Sequence, residues 1–332
     1  MAADVVDSSS LKILSLNISG LRKKTNNVSI LVIKYKPDFI FLQETNINSI
    51  FLERQVIESL KLEPNSCFFN YNINKSNGTC ILQTSDKWQI TFVKFFQEGR
   101  TILMKIRNGN KLKTLINIYA PANPAQRIAF YDELFKILSK NKSDDCFLAG
   151  DFNITLQDKD ILGLRGKQRQ GRYELSQIIQ LLQLKDSFRA LYPEKTETTY
   201  ENNSVIRASR IDHAYVNINC NVLLFKHLTE TLLFTDHKGV LIESGSFMQR
   251  KTSSHWIFNN TLLQNKDFVK SIENVIDENK RLKDEVFFEK FEQMKSVFKT
   301  IAIWVEIKQG KVKKRVYIRE NNYRIRKKEK LL

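Results

Sequence analysis

Through about residue 245 the chain alternates short apolar runs with polar breaks, in the period of two expected of half-buried strands. Such runs are LKILSLNI (11–18), DFIFLQE (38–44), SCFFNYNI (66–73), TCILQTS (79–85), QITFVKFF (89–96), TILMKI (101–106) and KTLINIYA (113–120). DCFLAGDF, SRIDHAYVN, VLLFKHL and KGVLIES continue the series. Asn77-Gly78, between the third and fourth runs, carries a hairpin signal. Three stretches switch to helical period: 27–36, stopped by Pro37; 124–140; and 173–184. Many strands with helices at intervals predict an α/β fold with two sheets face to face and helices over their outer sides.

After residue 247 the pattern changes. FMQRKTSSHW reads as a linker, and Phe268, Val269, Ile272 and Ile276 then recur at helical spacing. The expected organisation is a disordered start (1–10), a folded domain (11–247) and a helical basic extension (248–332). The length of 332 residues and 42% hydrophobic content allow a full core in the first of these bodies.

Charge adds a partner to this picture. The chain carries a net +17, and 305–332 alone holds eleven Lys or Arg against three Glu, a net +8. A polyanion is the expected partner, nucleic acid or an acidic membrane surface on charge alone, with RNA as a further ligand of the tail. A solvated helical face is the plainer reading of the same charge run. KVKKRV (311–316) suits nuclear import. Four scattered cysteines with no C-x-x-C pair exclude a zinc knot or disulfide framework and fit a reducing interior. No run approaches the ~18 apolar residues of a membrane span, so the expectation is a soluble intracellular monomer with no membrane partner.

Several apolar runs end in a residue able to do chemistry: Asn17, Glu44, Tyr119, then Asp151 and Asn153 in FLAGDFNI, with Asp212 in SRID and Asp236-His237 in TDH. Singly, each has a dull explanation, such as a turn residue, a cap, or, for Asp212, a partner for Arg210. Jointly they are what phosphodiester hydrolysis requires. Carboxylates would hold a hard cation, Glu44 being suited to it; another carboxylate, Asp151 beside Asn153, would activate water. Neutral donors, Asn17 and Tyr119, would hold the phosphate, and His237 would be steered by Asp212 or Asp236.

The ordered motifs LSLNISGL, FLQET, NIYAP, AGDFN, SRIDH and TDHKGV resemble the endonuclease/exonuclease/phosphatase superfamily over residues 10–245. More narrowly, they resemble the apurinic-endonuclease-like domain of LINE-type non-LTR retrotransposon polyproteins. The resemblance implies a four-layer, DNase I-like α/β sandwich and Mg²⁺ (or Mn²⁺) dependence. It puts Glu44 and Asp236 at the metal, and Asn17, Tyr119, Asp151, Asn153, Asp212 and His237 in catalysis. Ala122 intrudes where the family has an asparagine after YAP, so Asn123 is the substitute phosphate contact. The segment 199–210 would be the hairpin that helps choose DNA, with Thr199, Ser209 and Arg210 as contacts. WIFNNTLLQNKDFVKSIENVI (256–276) is similar to the stretch that follows the LINE endonuclease. The implied activity is nicking of one DNA strand to leave a 3′-hydroxyl. An apurinic repair endonuclease and an inactive nucleic-acid-binding remnant are the alternatives.

Overall fold

The computed structural model describes residues 10–73, 77–141, 145–163, 169–202, 207–245 and 260–279, with single positions 294, 297, 298, 301, 302 and 305. The chain divides into two compact units, residues 1–248 and 249–332.

The first unit carries two six-stranded sheets. One contains β1 (Leu11–Asn17), β2 (Phe39–Gln43), β3 (Cys67–Asn70), β4 (Thr79–Gln83), β14 (Asn221–Leu228) and β15 (Gly239–Gly245), ordered β14-β15-β1-β2-β4-β3. The other contains β5 (Gln89–Phe96), β6 (Thr101–Asn108), β7 (Lys111–Tyr119), β8 (Cys146–Asp151), β10 (Leu184–Asp186) and β13 (Asp212–Asn217), ordered β10-β13-β8-β7-β6-β5. A small sheet joins β9 (Ile161–Gly163), β11 (Tyr200–Asn202) and β12 (Arg207–Ser209), so the 199–210 segment does form the expected hairpin. The described helices of this unit are α1 (Thr25–Tyr35), α2 (Ile50–Leu60), α3 (Pro124–Lys140), α4 (Arg172–Leu181) and α5 (Ser187–Leu191).

Alternation along each strand assigns its residues to layers. In β1, Leu11 and Ile13 enter the core between the sheets, while Leu14 and Leu16 turn outward beneath α1 and α2. Phe147 and Ala149 of β8 face the inter-sheet core, and Leu148 packs under α3 and α4. Three apolar layers separate two sheets and two helical coats, which is the expected four-layer sandwich.

The parallel pairs position the site. β1 runs parallel to β2, with α1 as crossover, and β7 runs parallel to β8, with α3 as crossover. Their carboxyl ends emerge together, where open α/β sheets place ligands. Gly150 makes the β7–β8 contact possible. A Cβ there would lie 2.0 Å from the Ile118 carbonyl oxygen, and its φ of +145° suits glycine alone.

Three features depart from the sequence pattern. α2 arises from INSIFLERQVIESL, capped by Ser49 Oγ accepting from Leu52 N at 3.3 Å. Asn77-Gly78 is not a two-residue turn: β3 ends at Asn70, and Thr45 N and Asn46 N donate to the Gly78 and Asn77 carbonyls. That pair therefore braces the loop following Glu44. The third predicted helix stops at Leu181, and residues 184–186 form a strand instead.

In the second unit, α6 (Lys266–Asn279) turns Phe268, Val269 and Ile272 onto Leu262, Ala302 and Val305. Ile276 of the same stripe is 39% exposed. The whole of the FMQRKTSSHW linker and nearly all of the basic tail, KVKKRV included, lie outside the described residues.

Candidate active site

The inter-sheet core becomes polar toward the rim, one strand position at a time. On the inward faces Ile13 gives way to Ser15 and Asn17, Phe41 to Gln43, Leu115 to Asn117 and Tyr119, and Ala149 to Asp151. A buried amide layer comes first. Gln43 Nε2 donates to Asn117 Oδ1 at 2.8 Å and Ser15 Oγ at 3.2 Å, and Asn117 Nδ2 donates to the carbonyls of Leu42 and Cys80. This layer ties the sheets together and separates the hydrocarbon core from the charges above it.

Above it lies one connected set. Asn17 Nδ2 donates to Glu44 Oε1 and Asp151 Oδ2, both at 3.0 Å, and thereby bridges the two sheets. Tyr119, opposite Asp151 in register, donates its hydroxyl to Glu44 Oε1 at 2.6 Å. Asn153, in the left-handed region at φ 50°, donates its backbone N–H to Asp151 Oδ1 at 2.9 Å and its amide to the Ala120 carbonyl at 2.8 Å. Burial raises the Tyr119 phenol well above its ordinary pKa, with the Glu44 carboxylate adding to the effect, so the hydroxyl stays a donor. The Arg100 guanidinium stacks 4.9 Å from the Tyr119 ring centroid.

β13 starts at Asp212, directly opposite Asp151. Asp212 Oδ2 meets His237 Nδ1 at 2.9 Å. Donor atoms of Asp151, Asp212 and His237 all lie within 4.8 Å of one another. Burial works against the charged imidazole, but the attraction and hydrogen bond of Asp212, with Asp151 and Asp236, overcome it and lift His237 to about 10. Asp151 moves to about 7, raised first by burial and then by repulsion from Asp212, against the pull of His237 and Asn17. At neutral pH the site thus holds a protonated imidazole beside a carboxylate able to take a proton.

Thr199 anchors this pair. Its Oγ1 accepts from Ile211 N and Asp212 N at 3.1 and 3.0 Å, and its carbonyl accepts from Lys238 N at 2.7 Å. The Tyr200 ring packs 4.9 Å from that of His237. Asp236 sits exposed at the rim. It borders a cleft of about 620 Å³ lined also by Ser19, Lys24, Glu201 and Leu232–Thr235. Lys24 caps the Ile18 and Ser19 carbonyls at 2.7 and 2.6 Å and feels the charges of both Asp236 and Glu44.

Of the four predicted substrate contacts, three are enclosed by the fold. Thr199, Ser209 and Arg210 are 0% exposed. Arg210 pairs with Asp160 and Asp186 at 2.9 and 2.7 Å rather than with Asp212, and Thr199 spends its hydroxyl on backbone. Asn123 is exposed, but its carbonyl oxygen caps α3 through Ala125 N and Gln126 N. Sequence reasoning passed over Gln43, Asn117, Arg100, Lys24 and Tyr200. Polar residues at inward positions of otherwise apolar strands mark the first two; no local signal marks the Tyr200–His237 contact.

The donors fit a hard divalent cation by their chemistry. Carboxylate oxygens dominate, and two buried carboxylates opposite each other, Asp151 and Asp212, favour added positive charge. The three-member group is itself a poor ligand set while His237 is protonated, because an imidazolium has no free lone pair. Glu44 and Asp236 lie outside that group.

The two-sheet sandwich gathers its candidate chemistry at the carboxyl ends of its strands. The chain belongs to the Endonuclease/Exonuclease/phosphatase family, whose model matches residues 14–237. It is 27% identical over 270 residues to the Transposon TX1 uncharacterized 149 kDa protein of Xenopus laevis, covering 79% of this chain and about a fifth (20%) of that relative. It is 26% identical over 241 residues to Exodeoxyribonuclease III of Haemophilus influenzae, covering 62% of this chain and 88% of the relative. An AP endonuclease from Archaeoglobus fulgidus shares the fold at TM-score 0.58 and 17% identity, over 70% of this chain and 98% of its own. The 3′ phosphatase NExo from Neisseria, solved with a product DNA hairpin, does so at 0.60 and 19%, over 71% and 100%.

Proposed function

We propose that this protein is a Mg²⁺-dependent endonuclease that nicks one strand of double-stranded DNA and leaves a 3′-hydroxyl. The observation that carries the reading is geometric: Asp151 lies opposite Asp212 across the β8–β13 pair, Asp212 meets His237 at 2.9 Å, and donor atoms of all three lie within 4.8 Å of one another. Asp151 orients and deprotonates the attacking water; Asn153 and Asn17 fix its two oxygens. His237 offers its remaining N–H to a phosphate oxygen, while Tyr119 and Asn17, whose donors are spent on Glu44 and Asp151, hold those carboxylates in place. A bound Mg²⁺, held by Glu44 and Asp236, would neutralise charge on the phosphate. Residues 11–247 suffice for the reaction, while the basic tail raises DNA affinity and carries nuclear import.

The test is supercoiled-plasmid nicking with Mg²⁺ and with EDTA, on intact and abasic plasmid, for the full chain and for 1–247. Nicked product that primes a polymerase without end repair, on intact plasmid and with Mg²⁺ only, is the expected result. Cleavage confined to abasic plasmid would assign repair chemistry, and no cleavage under any condition would refute the reading.

A further inference from the structure

We infer that the outer face of the β5–β7 ribbon, away from the active-site rim, is a docking surface for single-stranded DNA. The register defines that face. Leu103 of β6 packs beneath the α3–α4 coat, so Lys105 and Arg107, two and four positions on, point to the same side beyond it. Their cross-strand neighbours share it: Lys94 opposite Leu103, Phe92 opposite Lys105, Leu112 opposite Arg107. The helices stop short of this end. Phe92 is 41% and Leu112 55% exposed, and Lys94 and Arg107 are exposed as well. β5 is the sheet edge.

Charge and ring together select the partner. No Asp or Glu occurs in any of the three strands. Lys94, Lys105 and Arg107 form no ion pair among the described residues. They stand in successive rows about 7 Å apart along the strands, a spacing an unstacked strand can follow phosphate by phosphate. Lys105 Nζ lies 5.7 Å from the Phe92 ring centroid, an arrangement that sets a cation beside a base-stacking platform. A duplex presents no base faces to such a ring, whereas a single strand does. The choice of DNA rests on the reading of the rim as a DNA-cleaving site. Leu112 is seven residues, roughly 23 Å, along β7 from Tyr119, within reach of a strand peeled from a nick.

The experiment uses the full chain in EDTA with fluorescein-labelled dT20, U20 and a 20-base-pair duplex. Phe92→Ala should weaken dT20 binding about 5- to 100-fold. Lys105→Gln/Arg107→Gln should lower the slope of log K against log salt by about 1.4. Duplex affinity and plasmid nicking should stay at wild-type levels, and a 5-iodouracil-substituted strand should crosslink within residues 89–112. If dT20 affinity and slope ignore both variants, the inference falls and the lysines serve only to keep the edge strand from pairing with other chains. U20 bound much more tightly than dT20 and lost in the same variants would overturn the DNA assignment. Because binding is read without cleavage, loss of nicking with these results intact would count against the proposed function alone.

Discussion

Asp151→Asn should make the protein more stable and far less active. Asp151 is 1% exposed and faces Asp212 across the β8–β13 pair. Its rise from 3.8 to about 7 means that ionising it in the fold costs on the order of 4 kcal/mol relative to the unfolded chain. The sign follows from the direction. Both states are protonated below about pH 4, so the cost is absent there; it grows as pH rises toward 7 and persists above. Asparagine removes that cost but cannot accept from both Asn17 Nδ2 and Asn153 N as the carboxylate does, which forfeits about 1 kcal/mol. The net gain is roughly 1–3 kcal/mol at pH 8, several degrees in Tm, shrinking to nothing or a small loss at pH 4. Nicking should fall on the order of 10²-fold or more, since the base is gone. The assay is thermal melting in EDTA at both pH values, with nicking rates on the same samples. Lower melting at pH 8, or undiminished nicking, would refute the reasoning.

Three further outcomes follow from the same geometry. Tyr119→Phe keeps the ring under Arg100 but deletes the 2.6 Å hydrogen bond to Glu44, so nicking should drop by about 10- to 10³-fold while stability changes by roughly 1 kcal/mol, measured by plasmid nicking and denaturant melting. His237, raised above its unfolded value, contributes stability present below about pH 6.5 and lost as pH climbs through 10; NMR should find the ring still protonated at pH 8, and titrating well lower in Asp212→Asn. Gly150→Ala, with its Cβ 2.0 Å from the Ile118 oxygen, should lose more than about 4 kcal/mol or fail to fold, and a soluble variant with unshifted melting would show that strands β7 and β8 can part there.

Most of the sandwich was legible because each strand writes its two faces into alternate letters. The same alternation made the strand-end residues Asn17, Glu44, Tyr119 and Asp151 visible as breaks in apolar runs. What escaped was non-local. Arg210 reads as an exposed DNA contact or as Asp212's partner, yet Asp160 and Asp186, 50 and 24 residues away, enclose it. Thr199 looks like a hairpin hydroxyl free for substrate, and only the folded chain brings Ile211 N and Asp212 N to it. Helix α2 was different: Ser49, Leu52, Val56 and Leu60 spell a cap and a stripe, but a strand-dominated pattern around them masked the period.

Asn17 belongs to one sheet and Asp151 to the other, and a single amide nitrogen holds both Asp151 and Glu44 at 3.0 Å. The side chain therefore works as a gauge of alignment between two slabs. A lateral slip of about an ångström would stretch these bonds beyond useful length while leaving the hydrocarbon contacts between the slabs almost intact. Heat, pressure or a substitution deep in the interior should consequently silence the chemistry at a stage when spectroscopic folding is still complete, and inactivation should run ahead of melting.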